Sequence, residues 1–248
     1  MYLQYYLDQL DYSNLPNFLI KYLKNSIFIE VKKYWLFLWN RLSFKRYIYD
    51  FREYISRYDH SLTVCLIVYK LTKDKKATLA GLFHDIATRC FSHVIDYMNQ
   101  DYEKQESTEE YTEHILKSDK YLIECLIEDD IDINKIINFK KYSVVDNDRP
   151  KVCADRTDDV ILTGIGWTKN INKNDISNIV KDMCIFLNEN NEDEIGFKSS
   201  KVEKQVLEIS ESIDIYCHSK EDNYMMQLLD KITKLSIEKN ITYEELYT

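Results

Sequence analysis

The chain has 248 residues, a formal net charge of −9 at pH 7 and an apolar share of 45%. This length and composition support a folded protein of one large or two small domains with an ample core. The acidic balance argues against a dedicated nucleic-acid-binding protein, because such a protein needs a basic surface to displace the counterions of the phosphates.

The N-terminal residues 1–50 are rich in aromatic residues but are not expected to enter a membrane. The beginning, MYLQYYLDQLDYSNLP, lacks the basic and apolar regions of a signal peptide. The most apolar window, residues 26–44, contains charged residues such as Glu30 and Arg41. It therefore falls short of the roughly 20 apolar residues of a membrane span. We expect a cytoplasmic protein without a membrane partner.

The low content of chain-breaking residues favours helices. The chain contains four glycines and two prolines, too few for a sheet with many glycine-dependent turns. Apolar residues recur at helical spacing in residues 61–72 and again at Val202, Val206, Ile209 and Ile213. Polar stretches at residues 99–110, 145–151 and 188–200 predict loops. The fold class is therefore predicted to be all-α.

A histidine and an aspartate stand side by side in the segment AGLFHDIATRCFSHVIDYMNQDY, residues 80–102. The neighbours of His84 and Asp85 are apolar, which predicts burial. A buried ionised carboxylate costs several kcal/mol unless an opposite charge compensates it. A bound metal ion is the simplest compensator for this pair.

Further metal ligands are predicted on either side of this pair. His60 lies in RYDHSLTV, and the segment KVCADRTDDVIL offers Asp155. Together with His84 and Asp85 they make a set of imidazoles and carboxylates, which suits one divalent metal such as Mn, Fe, Co, Ni, Zn or Mg. The absence of a thiol from this set predicts an open hydrolytic site rather than a structural zinc site.

The choice of the last ligand leaves alternatives open. Asp158 and Asp159 compete with Asp155, and Asp155 and Asp159 would share one face of a helix. Asp155 is preferred because it follows the apolar residues 152–154, as a residue inside a helix would.

The order of these segments resembles that of the HD-domain phosphohydrolase superfamily. RYDHSLTV is similar to its R-x-x-H-S-L stretch, and HDIATRCFSHVID resembles H-D-I-x-x-x-x-F-S-H-x-x-D/E, found in the branch that includes deoxynucleoside triphosphate triphosphohydrolases. The resemblance covers roughly residues 50–165. It implies an HD-domain helical bundle in which His60, His84, Asp85 and Asp155 hold the metal at the centre.

We expect the chain to consist of three segments of one helical domain. Residues 51–165 would form the HD-domain core. Residues 1–50 would be an N-terminal helical extension packed on this core, and residues 166–248 would supply C-terminal helices that complete it.

Several other residues are candidates for catalysis or substrate binding. Arg57 lies three residues before His60, so on a helix it could reach a phosphate at the metal; the alternative is a surface arginine paired with Glu53. In the branch that the sequence resembles, the residues matching His93 and Asp96 act as a phosphate contact and its orienting partner. A buried histidine bonded to backbone is the alternative for His93.

The sequence departs from that branch at two places. Thr88 stands where the branch has a further histidine, and Gln105 precedes Glu106 where the branch has His-Glu. A threonine hydroxyl cannot donate a proton near pH 7 as an imidazolium can. Thr88 and Arg89 remain candidate substrate-binding residues.

These observations predict a metal-dependent phosphohydrolase that acts on a nucleotide or deoxynucleotide phosphate. One alternative is a phosphomonoesterase acting on a nucleoside monophosphate. Another is a non-catalytic nucleotide-binding HD module whose catalytic residues are incomplete. The expected partners are a small-molecule nucleotide and, through the aromatic N-terminal region, a further copy of the chain in a homo-oligomer.

Overall fold

The computed structural model describes residues 1–34, 36, 50–88 and 111–239. Within these ranges the chain is mostly helical, which confirms the α-helical fold class. The helices are α1 (Tyr2–Gln9), α2 (Asn17–Leu23), α3 (Ser26–Glu30), α4 (Arg57–Thr72), α5 (Lys75–Phe83), α6 (Thr112–Ser118), α7 (Lys120–Glu128), α8 (Asn134–Ile137), α9 (Ala154–Gly166), α10 (Lys173–Asp182), α11 (Ser200–Cys217) and α12 (Lys220–Glu238), with short 3-10 helices at Tyr12–Asn14, Val31–Lys33 and Phe139–Lys141.

Helix α4 is the central helix of the bundle. It begins at a capping box, in which the Ser56 hydroxyl accepts from the backbone N–H of Asp59 and the Asp59 carboxylate accepts from the backbone N–H of Ser56. It ends at Lys73, which has a left-handed φ of 57°. An uninterrupted run of buried residues from His60 to Val68 shows that α4 is covered on all sides.

Helices α5 and α9 pack against α4 and position the other candidate ligands. The Asp74 carboxylate caps the first turn of α5, which ends at Phe83. His84 and Asp85 therefore lie in the turn that follows the helix. Asp155 lies in the first turn of α9, one residue after the helix begins, rather than in the helix interior.

One cluster of buried side chains joins the bundle. It extends from Leu3 in α1 through α4 and α5 to Ile213 in α11. The N-terminal helices, together with α10 and α11, therefore share a core with the segment that carries the candidate ligands.

A two-stranded hairpin lies where the sequence predicted a polar loop. Strands β1 (Met183–Leu187) and β2 (Asp193–Phe197) are antiparallel, with Ile185 opposite Ile195. Ile195 is fully buried. This burial holds β2 in place, although the residues that precede Ile195 in the sequence are acidic and amide residues. The prediction of a loop over residues 188–200 was wrong for β2.

None of the helices in the described ranges combines the length and apolar character that crossing a membrane requires.

Candidate metal centre

Helices α4 and α9 and the turn after α5 bring two imidazoles and one carboxylate to a single point. The Nε2 atom of His60 lies 3.0 Å from Oδ1 of Asp155, and the Nε2 atom of His84 lies 3.3 Å from the same oxygen. The ligand atoms of these three residues all lie within 4.8 Å of one another. Both histidines are buried, whereas the Asp155 side chain is 32% exposed, so the centre is open to solvent on the Asp155 side.

The second nitrogen of each ring is held by a hydrogen-bond acceptor. Nδ1 of His84 lies 2.8 Å from the carbonyl oxygen of Gly81, and Nδ1 of His60 lies 2.9 Å from Oδ2 of Asp158. Because the carbonyl can only accept, and the carboxylate accepts when ionised, we assign the hydrogen of each neutral ring to Nδ1 and the lone pair to Nε2. Metal-ligating histidines have this arrangement. Two such nitrogens and a carboxylate suit a divalent transition metal.

The electrostatics of the centre favour a positive charge between these groups. Burial lowers the pKa of His60, but hydrogen bonds with Asp155 and Asp158 outweigh burial and raise it well above its usual value. Burial also lowers the pKa of His84, and Asp155 more than offsets this. Burial raises the pKa of Asp155, yet the two histidines lower it well below its usual value. Protons and a metal ion would compete for this centre.

Asp85 lies outside this group of three and is ion-paired with Arg57. Burial raises the pKa of Asp85, but Arg57 and the two histidines outweigh it and lower the pKa to about 2. Asp85 is therefore ionised at neutral pH. Its assignment as a metal ligand stays a prediction.

Arg57 is buried, which contradicts the alternative of a surface arginine paired with Glu53. The Glu53 carboxylate instead accepts hydrogen bonds from the backbone N–H groups of Tyr2 and Leu3 at the start of α1. The guanidinium group of Arg57 contacts the carboxylate of Asp85, the neighbour of His84 in the sequence. Its role as a phosphate contact stays a prediction.

The three competing aspartates of α9 have different surroundings. Asp155 faces the two Nε2 atoms. Asp158 is fully buried and contacts the opposite nitrogen of His60, while the Asp159 carboxylate accepts a hydrogen bond from Thr163. This geometry favours Asp155 as the ligand.

Some of the predicted site residues lie outside the described ranges. Arg89, His93 and Asp96 belong to this group, as does Gln105. Thr88 is described: its backbone N–H donates to the carbonyl oxygen of Asp85 at 3.0 Å, and its side chain hydrogen-bonds the Asp85 carboxylate.

Sequence reasoning missed the supporting role of Asp158 and of Tyr6, whose hydroxyl donates to Asp158. The position of Asp158 three residues after a candidate ligand and two residues before the apolar run 160–162 was a signal for its role. Nothing local marked Tyr6, because it lies 152 residues away.

A second group of possible ligands consists of Asp146, Cys153 and Asp155. The Arg156 guanidinium lies 3.8 Å from the Asp146 carboxylate and would repel a cation there. Burial raises the pKa of the Cys153 thiol to about 12, so the thiol is protonated. This group is therefore a poor cation site.

The comparisons with known proteins cover the segment that carries this centre. Residues 57–161 match the family model of the HD domain. "Uncharacterized protein YdhJ" of Bacillus subtilis (strain 168) is 33% identical over 117 residues, which are 42% of this chain and 32% of that protein. The match thus spans less than half of either chain. No solved structure matches the chain. The findings support the HD superfamily, whose members are generally metal-dependent phosphohydrolases.

Proposed function

We propose, from the HD-domain match over residues 57–161, that this chain is a metal-dependent phosphohydrolase acting on a nucleotide or deoxynucleotide phosphate. The observation that carries the proposal is the convergence of His60 Nε2, His84 Nε2 and Asp155 Oδ1 at a centre open on one side. Lewis acidity toward a phosphate oxygen and activation of water are the chemistry that a divalent metal supplies when bound there.

Different residues around this centre would bind the metal and the phosphate. His60, His84 and Asp155 would hold the metal, with Asp85 as the predicted fourth ligand. Arg57, in the first turn of α4, would bind a phosphate oxygen, because its guanidinium lies next to Asp85 in a buried setting where a charge-assisted hydrogen bond is strong.

The remaining substrate contacts are proposed from the resemblance to the triphosphohydrolase branch. His93 would bind a second phosphate oxygen, with Asp96 orienting its ring, and Arg89 would add a further charge. The nucleotide substrate is supported by the similarity of the HDIATRCFSHVID segment to the triphosphohydrolase branch.

A phosphomonoesterase is the second candidate, and Thr88 favours it. Thr88 occupies the place of a histidine that would protonate a leaving group, and its side chain is engaged with Asp85. The histidine of the branch could instead hold the polyphosphate; a nucleoside monophosphate has no further phosphates to hold and therefore demands less of this position than a triphosphate does.

The test is release of phosphate and triphosphate from a panel of dNTPs, NTPs and nucleoside monophosphates in the presence of Mn²⁺. We expect turnover that His84→Ala and Asp155→Ala abolish and that His114→Ala, an exposed histidine within the HD-matched segment, leaves intact. Triphosphate among the products would identify a triphosphohydrolase. Metal bound without turnover on any substrate would contradict the proposal and favour a binding module.

A further inference from the structure

The buried carboxylate of Asp158 connects the N-terminal helix to the metal centre. It is fully buried and contacts three side chains. The Tyr6 hydroxyl donates to Oδ1 at 2.7 Å, the Thr63 hydroxyl lies 2.8 Å from Oδ2, and Nδ1 of His60 lies 2.9 Å from Oδ2. Asp158 thus bridges a ligand on α4 and a tyrosine on α1.

Tyr6 is the hydrogen-bond donor that holds Oδ1 of the Asp158 carboxylate. The Thr63 hydroxyl also lies within hydrogen-bond distance of the carbonyl oxygens of Asp59 and His60, so its single proton is shared among several acceptors. The Tyr6 hydroxyl reaches Oδ1, the oxygen that His60 and Thr63 leave open.

We propose that Asp158 and Tyr6 are positioning residues of the metal centre. Asp158 holds the His60 ring with Nε2 turned toward Asp155 and His84, and Tyr6 holds Asp158. Tyr6 lies outside residues 57–161, so an element beyond the HD-matched segment sets the metal affinity. This inference rests on the metal centre of the proposed function and not on the hydrolytic step.

The chain offers a matched control for Tyr6. Tyr22 in α2 is also fully buried, and its hydroxyl also donates to a carboxylate at 2.7 Å, that of Asp129. Tyr6→Phe and Tyr22→Phe each remove one hydroxyl from a buried tyrosine that donates to an aspartate. Only Tyr6 is connected to a candidate metal ligand.

The experiment is calorimetric titration of the full-length, metal-free variants with Mn²⁺, together with thermal unfolding. We expect Tyr6→Phe to weaken Mn²⁺ affinity about tenfold, the size of effect typical for groups that orient ligands. Tyr22→Phe should bind as the wild type does, although both variants lose stability. Asp158→Asn should weaken binding at least as much as Tyr6→Phe, while Asp129→Asn should not.

Wild-type Mn²⁺ affinity in Tyr6→Phe and Asp158→Asn would overturn the inference, as would equal losses in the Tyr22 and Asp129 controls. A wild-type protein that binds no Mn²⁺ would overturn it together with the metal centre. Because the readout is metal affinity, a lack of hydrolysis would count against the proposed function alone.

A different observation concerns the outer face of α12. Tyr224, Leu228, Ile232 and Leu235 follow one another at helical spacing, and between 38% and 66% of each residue is exposed. The buried residues of the helix, Leu229 among them, face the body of the protein. We call these four residues the α12 stripe. Such an exposed apolar row is typical of an interaction surface.

The α12 stripe can pair with the α12 stripe of a second copy of the chain when the two helices run antiparallel. Leu228 and Ile232 lie at equal distances from Asp230 along the sequence, as do Glu221 and Lys239 at the two ends of the helix. In an antiparallel pair, each Leu228 would meet Ile232 of the other copy, and each Glu221 would meet Lys239. The central apolar residues and the terminal charges match in this pairing, in which Leu235 would meet Met225 and Tyr224 would meet Ser236. We infer that a second copy of this chain docks on the α12 stripe around a two-fold axis.

Sedimentation equilibrium over a range of protein concentrations tests this inference. We expect the wild type to form a dimer, Leu228→Glu and Ile232→Lys each to be monomeric, and an equimolar mixture of these two variants to associate again, because one Glu then faces one Lys. Leu207→Glu, on the exposed surface of α11, is the matched control and should remain dimeric. A monomeric wild type, or a Leu228→Glu variant that associates as the wild type does, would overturn the inference.

Discussion

Arg57, in the first turn of α4, forms a largely buried ion pair with Asp85, in the turn after α5, with the two side chains 7% and 14% exposed. The sequence assigned these residues to two different tasks, phosphate binding and metal binding. In the structure each compensates the charge of the other. Before a metal or a substrate binds, the protein therefore keeps both groups ionised without burying an uncompensated charge.

Removing the arginine should destabilise the metal-free protein. We expect Arg57→Ala to lower the free energy of unfolding by about 3 kcal/mol, because it leaves the Asp85 carboxylate buried without its guanidinium partner. The double variant Arg57→Ala/Asp85→Ala should lose less than the sum of the two single variants. Denaturation in urea measures all four proteins. Additive losses would show that the pair contributes no coupling energy.

The metal affinity should distinguish between the aspartates of α9. We expect Asp155→Ala to lower Mn²⁺ affinity at least about 100-fold, because it removes the oxygen that both Nε2 atoms face. Asp159→Ala is the matched control, since it lies one helical turn further along the same helix, and should retain affinity. Titration calorimetry of both variants decides the assignment, and the opposite result would make Asp159 the ligand.

The stability of the metal-free protein should depend on pH through the histidines. The folded-state pKa values of His60 and His84 are raised, because Asp155 outweighs burial. Stabilisation from such a group is complete below its unfolded pKa of about 6.5 and is lost as the pH rises through its folded pKa. We expect the free energy of unfolding to fall as the pH is raised from about 6 toward 8 and beyond.

His84→Gln is the control for this pH dependence, because it removes one of the titrating groups. Its free energy of unfolding should fall less steeply over the same range. Mn²⁺ affinity should rise with pH in the wild type, since protons leave the nitrogens that bind the metal. A wild-type stability that increases across this range would contradict the assigned pKa directions.

Ile195 should carry a large part of the contribution of the hairpin to stability. We expect Ile195→Ala to cost about 2–4 kcal/mol, because Ile195 is fully buried in the main core cluster. Leu187→Ala, on the exposed end of β1, should change stability by less than about 0.5 kcal/mol. Thermal or urea denaturation of the two variants measures the difference, and equal effects would contradict the role given to Ile195.

The parts of the site that sequence reasoning found are those encoded locally. His60 and His84 could be identified because each lies in a short motif on one helix or at its end, and the helical fold followed from the spacing of apolar residues. The position of β2 was not predictable, because one buried isoleucine stands in an acidic segment. Whether Ile195 is buried depends on the packing of the hairpin against the core and not on its neighbours in sequence.

Contacts between distant segments were also beyond the sequence. The bond between Tyr6 and Asp158 joins residues 152 positions apart, and no local pattern distinguishes Tyr6 from the other tyrosines of the N-terminal segment. The pairing of Arg57 with Asp85 depends on the angle at which α5 crosses α4. Helical spacing specifies which face a residue occupies but not which residue of another helix meets it.

The most direct test of the proposed centre is the number of Mn²⁺ ions bound by the purified, metal-free protein, measured by equilibrium dialysis for the wild type and for His84→Ala. The structure predicts about one bound ion per chain in the wild type and none in the variant, since His84 supplies one of two Nε2 ligands. A wild type that binds no Mn²⁺, or a His84→Ala variant that binds as much as the wild type, would contradict a metal centre at His60, His84 and Asp155.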